Sequence, residues 1–198
     1  MIKKKAIIIS IAGTILTSKE KNLIIKGKPW GIILFKRNIS TFNQTKKLIY
    51  SIRSAVKDRK YPVLIDEEGG KISRLSNFFD NSAYSQKFFG DLYKKNKKFS
   101  KLVYENYLYS MCSILKGLGI NINTVPVLDV KRKITSNIIG SRSFSSKPSI
   151  VSKLGQICIS KFHKNHIATV IKHIPGHGLA SVDSHKKLPI VNKNIKLL

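Results

Sequence analysis

The sequence predicts an α/β fold with parallel strands, and three observations carry that prediction. Short apolar runs recur along the chain, at residues 6–11, 31–35, 61–65, 122–128 and 169–171. Helical patterns stand between several of them. The runs are continuously apolar, as expected of parallel strands covered on both faces, whereas a half-exposed strand alternates. This pattern leaves two architectures open, a barrel and a doubly wound sheet.

The first run, residues 6–11, follows Lys3, Lys4 and Lys5 and has the look of a short signal peptide. Gly13, Thr14, the polar stretch from Thr17 and the lack of a small-residue cleavage site favour a strand. After the second run, Leu48, Ile49, Ile52 and Val56 recur at helical spacing, with Ser40 or Thr41 as N-cap. Pro62 opens the third run, where its missing N–H does no harm. Residues 66–86 read as a long loop. A helix then places Phe99, Leu102, Val103, Tyr107, Met111, Ile114, Leu115 and Leu118 on its inner face and ends at Gly117 and Gly119. After the fourth run a helix starts near Pro148, with Ile150, Val151, Leu154, Ile157, Cys158 and Phe162 inward. Residues 192–198 read as the start of another helix.

The 198 residues are 42% hydrophobic and 24% charged, enough for one domain with a core. The net charge is +27, and 31 of the 37 basic residues are Lys. Such an excess raises the question of nucleic acid or an anionic membrane. The lysines are scattered through helices and loops, however, and no recognition-helix, zinc-finger or RNP pattern is present. No segment approaches the ~18 apolar residues of a membrane span. We therefore expect neither nucleic acid nor membrane as a partner. Cys112 and Cys158 fall on apolar helix faces without metal or disulfide spacing, which fits core packing and a cytoplasmic location.

Polar residues gather where strands end: Asp66 after the third run, Asp129 after the fourth, Lys172 and His173 after the fifth. In parallel α/β folds that edge binds ligands. The richest segment is Lys172-His173-Ile174-Pro175-Gly176-His177-Gly178, followed by Asp183-Ser184-His185. A carboxylate two residues from an imidazole can fix its tautomer and raise its basicity, giving a general acid/base. The same residues admit two other readings: metal ligation by His173, His177, His185 and Asp183, or histidines that only cap turns.

These residues carry a resemblance. KHIPGHG followed by DSH is similar to the signature of the bacterial β-N-acetylhexosaminidases of glycoside hydrolase family 3. IAGTILT, WGIILFKRNI, LIDEEGGKISRL, INTVPVLDV and IGSRSF resemble further segments of that family in the family's order, from about residue 8 to residue 191. Lys71 stands where the family usually has Arg, and Glu67 where it often has Gln or His.

The resemblance implies a (β/α)8 barrel, with residues 1–198 as its N-terminal portion and about five of eight β/α units present. It implies a retaining exo-glycosidase that removes terminal N-acetylglucosamine from a muropeptide or oligosaccharide. His185 would be the acid/base and Asp183 its orienting partner. Asp66, Arg74, Arg142, Lys172 and His173 would contact the sugar, as donors and acceptors suited to hydroxyl and N-acetyl groups. His177 would support its loop, and Glu68 and Asp129, which sit in matching motifs, would be either structural or part of the site. No cofactor and no metal is implied, since protonation and covalent catalysis suffice.

Retaining hydrolysis also needs a carboxylate nucleophile. In the family it follows the seventh strand, and no such segment occurs here, so none is assigned. Five strands cannot close an eight-stranded barrel, which leaves the first and fifth open at their edges. A fragment or frameshifted product, a separate chain that supplies the remaining strands, and a decaying gene are the three explanations.

Overall fold

The computed structural model of the protein describes residues 4–174, 176–183 and 186–191. Five strands, β1 (Lys5–Ile9), β2 (Pro29–Leu34), β3 (Val63–Ile65), β4 (Ile122–Asn123) and β5 (Ala168–Thr169), form one sheet. Their spatial order is their chain order, and every pair is parallel. A doubly wound sheet reverses its order at a switch point. This sheet never does, so it is barrel wall and the doubly wound alternative falls.

Interior strands are dry: Ile32, Leu34, Val63 and Ile65 are each 0% exposed. The outer strands are not. Ile7 and Ile8 of β1 are 51% and 44% exposed, and Val170 and Ile171 beyond β5 are 43% and 42%. Among the described residues no strand pairs with the outer edge of β1 or β5. The open edges expected from five strands are there.

Among the described residues five α-helices cover the sheet: α1 (Ser18–Gly27), α2 (Phe42–Val56), α3 (Gln86–Lys95), α4 (Lys97–Leu118) and α5 (Pro148–Lys164). Thr41 caps α2 through the Gln44 N–H, as its position suggested. Two helices escaped the periodicity argument. In α1 only Ile24 is buried, so no apolar stripe marks it. Its start is set by a capping box: Thr17 accepts from the Glu20 N–H, and the Glu20 carboxylate accepts from the Thr17 N–H. Helix α3 begins on Ser85, whose hydroxyl accepts from the Phe88 N–H.

The predicted inner face of α4 holds for Met111, Leu115 and Leu118, which are buried, and for Val103, Tyr107 and Ile114, which pack against the core, but not for its first two residues. Phe99 and Leu102 are 53% and 59% exposed, and the buried row is Ser100, Tyr104, Leu108, Met111, Cys112, Leu115 and Leu118. The reason is the close approach of α3. The Ser100 hydroxyl donates to the Phe89 carbonyl, and the Tyr104 ring packs on Phe89 at 4.4 Å between centroids. A small residue at 100 admits that contact and turns Phe99 and Leu102 outward. Gly119, at φ +92°, ends the helix in the left-handed conformation that only glycine adopts freely.

Run 122–128 yields only two sheet residues. Beyond them Val127 bridges Lys172, and the Val125–Pro126 bond is cis. Cys112 and Cys158 are free and buried in the core, and burial pushes their thiols up to about 11 and about 12. They are therefore inert as nucleophiles. No helix among the described residues is long and apolar enough to cross a membrane. The helix expected over 192–198 lies outside the described residues.

Candidate active site

The site begins where β3 ends. Asp66, Glu67 and Glu68 leave the strand, and Gly69 and Gly70 turn the chain back at φ +81° and +62°. The return brings four donors onto the buried Glu67 carboxylate. They are the N–H groups of Arg74 (2.7 Å) and Leu75 (3.0 Å), the Asn81 amide (2.8 Å) and the Ser73 hydroxyl (3.3 Å). So anchored, the loop lets the Arg74 guanidinium reach Asp66 at 2.9 Å.

Glu67 meets neutral donors only, and burial raises its pKa above the ordinary glutamate value against the opposing hydrogen bonds. Its protonated form is thus favoured by folding. The stability it contributes is present below the unfolded glutamate pKa and is lost as pH rises through the folded value. Glu67→Gln removes that loss. The new amide can donate to Asn81 Oδ1, a buried oxygen without a partner among the described residues, once the Asn81 amide flips. We expect Glu67→Gln to denature at higher urea than wild type at neutral pH, with the gap closing in acid. A gap of opposite sign at neutral pH would show that the carboxylate is stabilised by its four donors.

From Asp66 a charged network crosses the ends of β3, β4 and β5. Asp66 accepts from Lys172 and from the Thr124 hydroxyl (2.7 Å). Burial alone would raise the Asp66 carboxyl. The Lys172 charge and hydrogen bond, the Thr124 hydrogen bond and the Arg74 charge outweigh it and hold the pKa at about 2. Lys172 also pairs with Glu68, whose side chain is 1% exposed. Arg142 grips Glu68 with two bonds, Nε to Oε2 at 2.8 Å and Nη2 to Oε1 at 2.9 Å. Arg142 ends a 3₁₀ turn, Gly140–Arg142, whose carbonyl accepts from the Gln86 amide at the start of α3. Burial works against the Arg142 charge, but Glu68 more than compensates and raises its pKa.

The network closes on His173. Its Nδ1 lies 2.6 Å from Asp129, a fully buried carboxylate that also accepts the His177 backbone N–H. Burial raises the Asp129 pKa, but hydrogen bonds from His173 and His177 bring it below the ordinary value. Asp129 is therefore an ionised acceptor, which assigns the hydrogen to Nδ1. Nε2 stands 3.4 Å from Arg142 Nη2, a group that can only donate. These partners favour the tautomer with hydrogen on Nδ1 and a bare Nε2. Gly178 makes this seating possible, because a Cβ there would lie 2.1 Å from the Val130 carbonyl oxygen.

Asp66, Arg142, Lys172 and His173 line one cavity of about 360 Å³, with Thr124, Ile33, Ile138 and His177. That volume falls in the range of small-molecule sites. Arg74 joins them through Asp66. Asp183 is partly buried, and its carbonyl accepts the N–H groups of Lys186 and Lys187 in a turn. His185 lies outside the described residues, and so does its pairing with Asp183. Among the described residues, no group of three or more His, Cys, Asp or Glu side chains is placed to hold a metal ion.

Glu68 and Asp129, whose roles the sequence left open between structural and functional, each hold a residue of the cavity: Glu68 both Arg142 and Lys172, Asp129 His173. A signal for Glu68 existed, since side chains two apart on an extended segment share a side and Asp66 was already assigned. Thr124 was missed, and its place one residue beyond β4 was the sole hint. The His177 N–H steadies the loop as expected. Its ring nitrogens are buried without a partner among the described residues.

Comparison with known proteins agrees with this fold. The family model of the glycosyl hydrolase family 3 N terminal domain matches residues 3–198. A beta-hexosaminidase of Idiomarina loihiensis is 35% identical over 184 residues, covering 92% of this chain and 54% of that protein. The chain thus spans about half the length of the curated relatives it matches. Among solved structures, NagZ from Neisseria gonorrhoeae in complex with N-trifluoroacetyl-D-glucosamine superposes with a TM-score of 0.85 at 27% identity, covering 94% of this chain and 54% of that one. A family 3 beta-N-acetylglucosaminidase from a Paenibacillus species follows at 0.80 and 28%, covering 92% and 34%.

Proposed function

The chain belongs to glycosyl hydrolase family 3, and from that premise we propose that it forms the sugar-binding half of a retaining β-N-acetylglucosaminidase active site. The observation that carries the reading is the convergence of Asp66, Arg142, Lys172 and His173 on one cavity at the strand ends. Carboxylate, ammonium, guanidinium and imidazole groups there match the hydroxyls and N-acetyl oxygen of a terminal N-acetylglucosamine.

In this reading Asp183 orients His185, which protonates the glycosidic oxygen as the bond to the anomeric carbon breaks. A carboxylate forms the new bond to that carbon. Water, deprotonated by His185, then releases the sugar. Asp66, Glu68 and Asp129 are poor candidates for the attack, since each is held by at least two donors. The attacking carboxylate belongs to strands beyond β5. The exposed edges of β1 and β5 support completion of the barrel by such strands, on this polypeptide or on a separate chain. A muropeptide in a cytoplasmic recycling route is the substrate this reading favours.

Titration with phenyl β-N-acetylglucosaminide, followed by NMR, tests the reading. We expect binding that shifts His173 and is lost in Lys172→Ala, without turnover. Absence of binding would overturn it. Turnover that disappears in His185→Ala would place the nucleophile within these 198 residues.

A further inference from the structure

Ile7, Ile8, Val170 and Ile171 are exposed at the open edges of the sheet, where further barrel strands would cover them. Helix α4 is different. It packs against both α2 and α5, and the strands it joins, β3 and β4, are each paired on both sides. Closure of the barrel therefore does not reach its outer face. Yet Phe99, Leu102 and Tyr109 there are each more than half exposed. At 3.6 residues per turn they fall opposite the buried row of Tyr104, Leu108, Met111 and Leu115, along about 15 Å of helix. The contact of Ser100 with the Phe89 carbonyl fixes that rotation. An apolar row held outward in this way is a surface for a partner.

Its surroundings indicate which partner. Five of the eight residues 94–101 are Lys, a density that no other stretch of the sequence matches. Asn96 is the turn between α3 and α4, so these lysines gather at one end of the row. Lys95, Lys97, Lys98 and Lys101 are exposed, and Phe99 stands among them. Beside them a groove of about 300 Å³ between α4 and α5 is lined by Lys101, Lys161 and Lys164. Asp91 and Glu105, the carboxylates nearby, are each shared between two lysines. Large apolar side chains set among ammonium groups suit an anionic bilayer, whose headgroup layer takes the apolar groups while its phosphates meet the lysines. A second copy of the chain would bring like charges together. Duplex nucleic acid would satisfy the lysines but leave Phe99 and Leu102 against phosphates.

We propose that the start of α4 docks on an anionic lipid surface, with Phe99 and Leu102 in the headgroup layer and Lys95, Lys97, Lys98 and Lys101 on lipid phosphates. The contact is peripheral, since no helix among the described residues is long and apolar enough to cross a membrane. It departs from the expectation of no membrane partner because that expectation placed Phe99 and Leu102 in the core. It does not depend on the sugar-site reading.

Co-sedimentation of the full chain with vesicles tests the proposal. One set is phosphatidylcholine alone, and the other is phosphatidylcholine and phosphatidylglycerol in equal parts. Binding to the mixed vesicles should be at least roughly tenfold tighter, and part of it should persist at high salt through the apolar contact. Phe99→Ser with Leu102→Ser keeps the net charge of +27 and should weaken that binding by roughly tenfold or more. Replacing Lys95, Lys97 and Lys98 by Gln should weaken it similarly. Replacing Lys57, Arg59 and Lys60, exposed residues on another loop, by Gln removes the same charge and should matter less than roughly threefold. No preference for the mixed vesicles, wild-type binding by the serine pair, or equal loss in the two Gln variants overturns the proposal. Duplex DNA binding that falls in the serine pair while vesicle binding does not would assign the corner to nucleic acid instead.

Discussion

Glu68→Ala is expected to lower the free energy of unfolding by about 3–5 kcal/mol, the cost of removing one partner from a buried ion pair. Glu68 is 1% exposed at its side chain and neutralises two cations, Arg142 through both carboxylate oxygens and Lys172 through one. Without it, Arg142 and Lys172, 13% and 15% exposed, are left with Asp66, the more distant Asp129 and the solvent that reaches the cavity. Lys4–Asp58 is the internal reference. Both side chains there are 35% exposed, and Asp58→Ala should cost no more than ~1 kcal/mol. Urea denaturation of the two variants side by side measures the contrast. A Glu68→Ala cost as small as that of Asp58→Ala would mean that water already screens the cavity cations, and the network would then be a surface feature.

What the sequence disclosed, and what it withheld, follows from how each feature is encoded. The parallel sheet was legible because β2 and β3 are buried on both faces and so are written as unbroken apolar runs. Barrel winding was not, since continuous burial is common to barrels and doubly wound sheets, and only the resemblance chose between them. Helix α1 carries one buried residue and is held at its start by polar capping, to which periodicity is blind. Phe99 and Leu102 at the start of α4 were misread because apolar spacing allows two overlapping stripes, and contact with Phe89 decides between them. At the site, Asp66, Lys172 and His173 were picked out by type and position at strand ends and Arg142 by the resemblance alone, and the four line one cavity. The roles of Glu68 and Asp129 stayed open in the sequence because their importance lies in which partner each one holds, and a partner 74 or 44 residues away leaves no local trace.

Asp129→Asn should weaken binding of an N-acetylglucosaminide by roughly 10–100-fold, in line with the loss of a charge-assisted hydrogen bond. The carboxylate serves two donors, His173 Nδ1–H and the His177 N–H. An asparagine oxygen can serve only one of these positions, and its NH2 group must face the other. If the NH2 group meets His173 Nδ1, the ring hydrogen moves to Nε2 and points at Arg142, so that two donors oppose each other across 3.4 Å. If the NH2 group meets the His177 N–H, that buried donor loses its acceptor, and the loop carrying His177 shifts. Nitrogen NMR of His173 in the ligand-free protein separates a positioning role from a merely structural one. Wild type should show hydrogen on Nδ1 and a bare Nε2, and the variant should reverse or mix the two. Asp183→Asn, which leaves Asp129 in place, should keep the wild-type pattern at His173. Unaltered tautomer and unaltered affinity in Asp129→Asn would mean that Arg142 alone sets the ring, and that the buried carboxylate only fastens the loop.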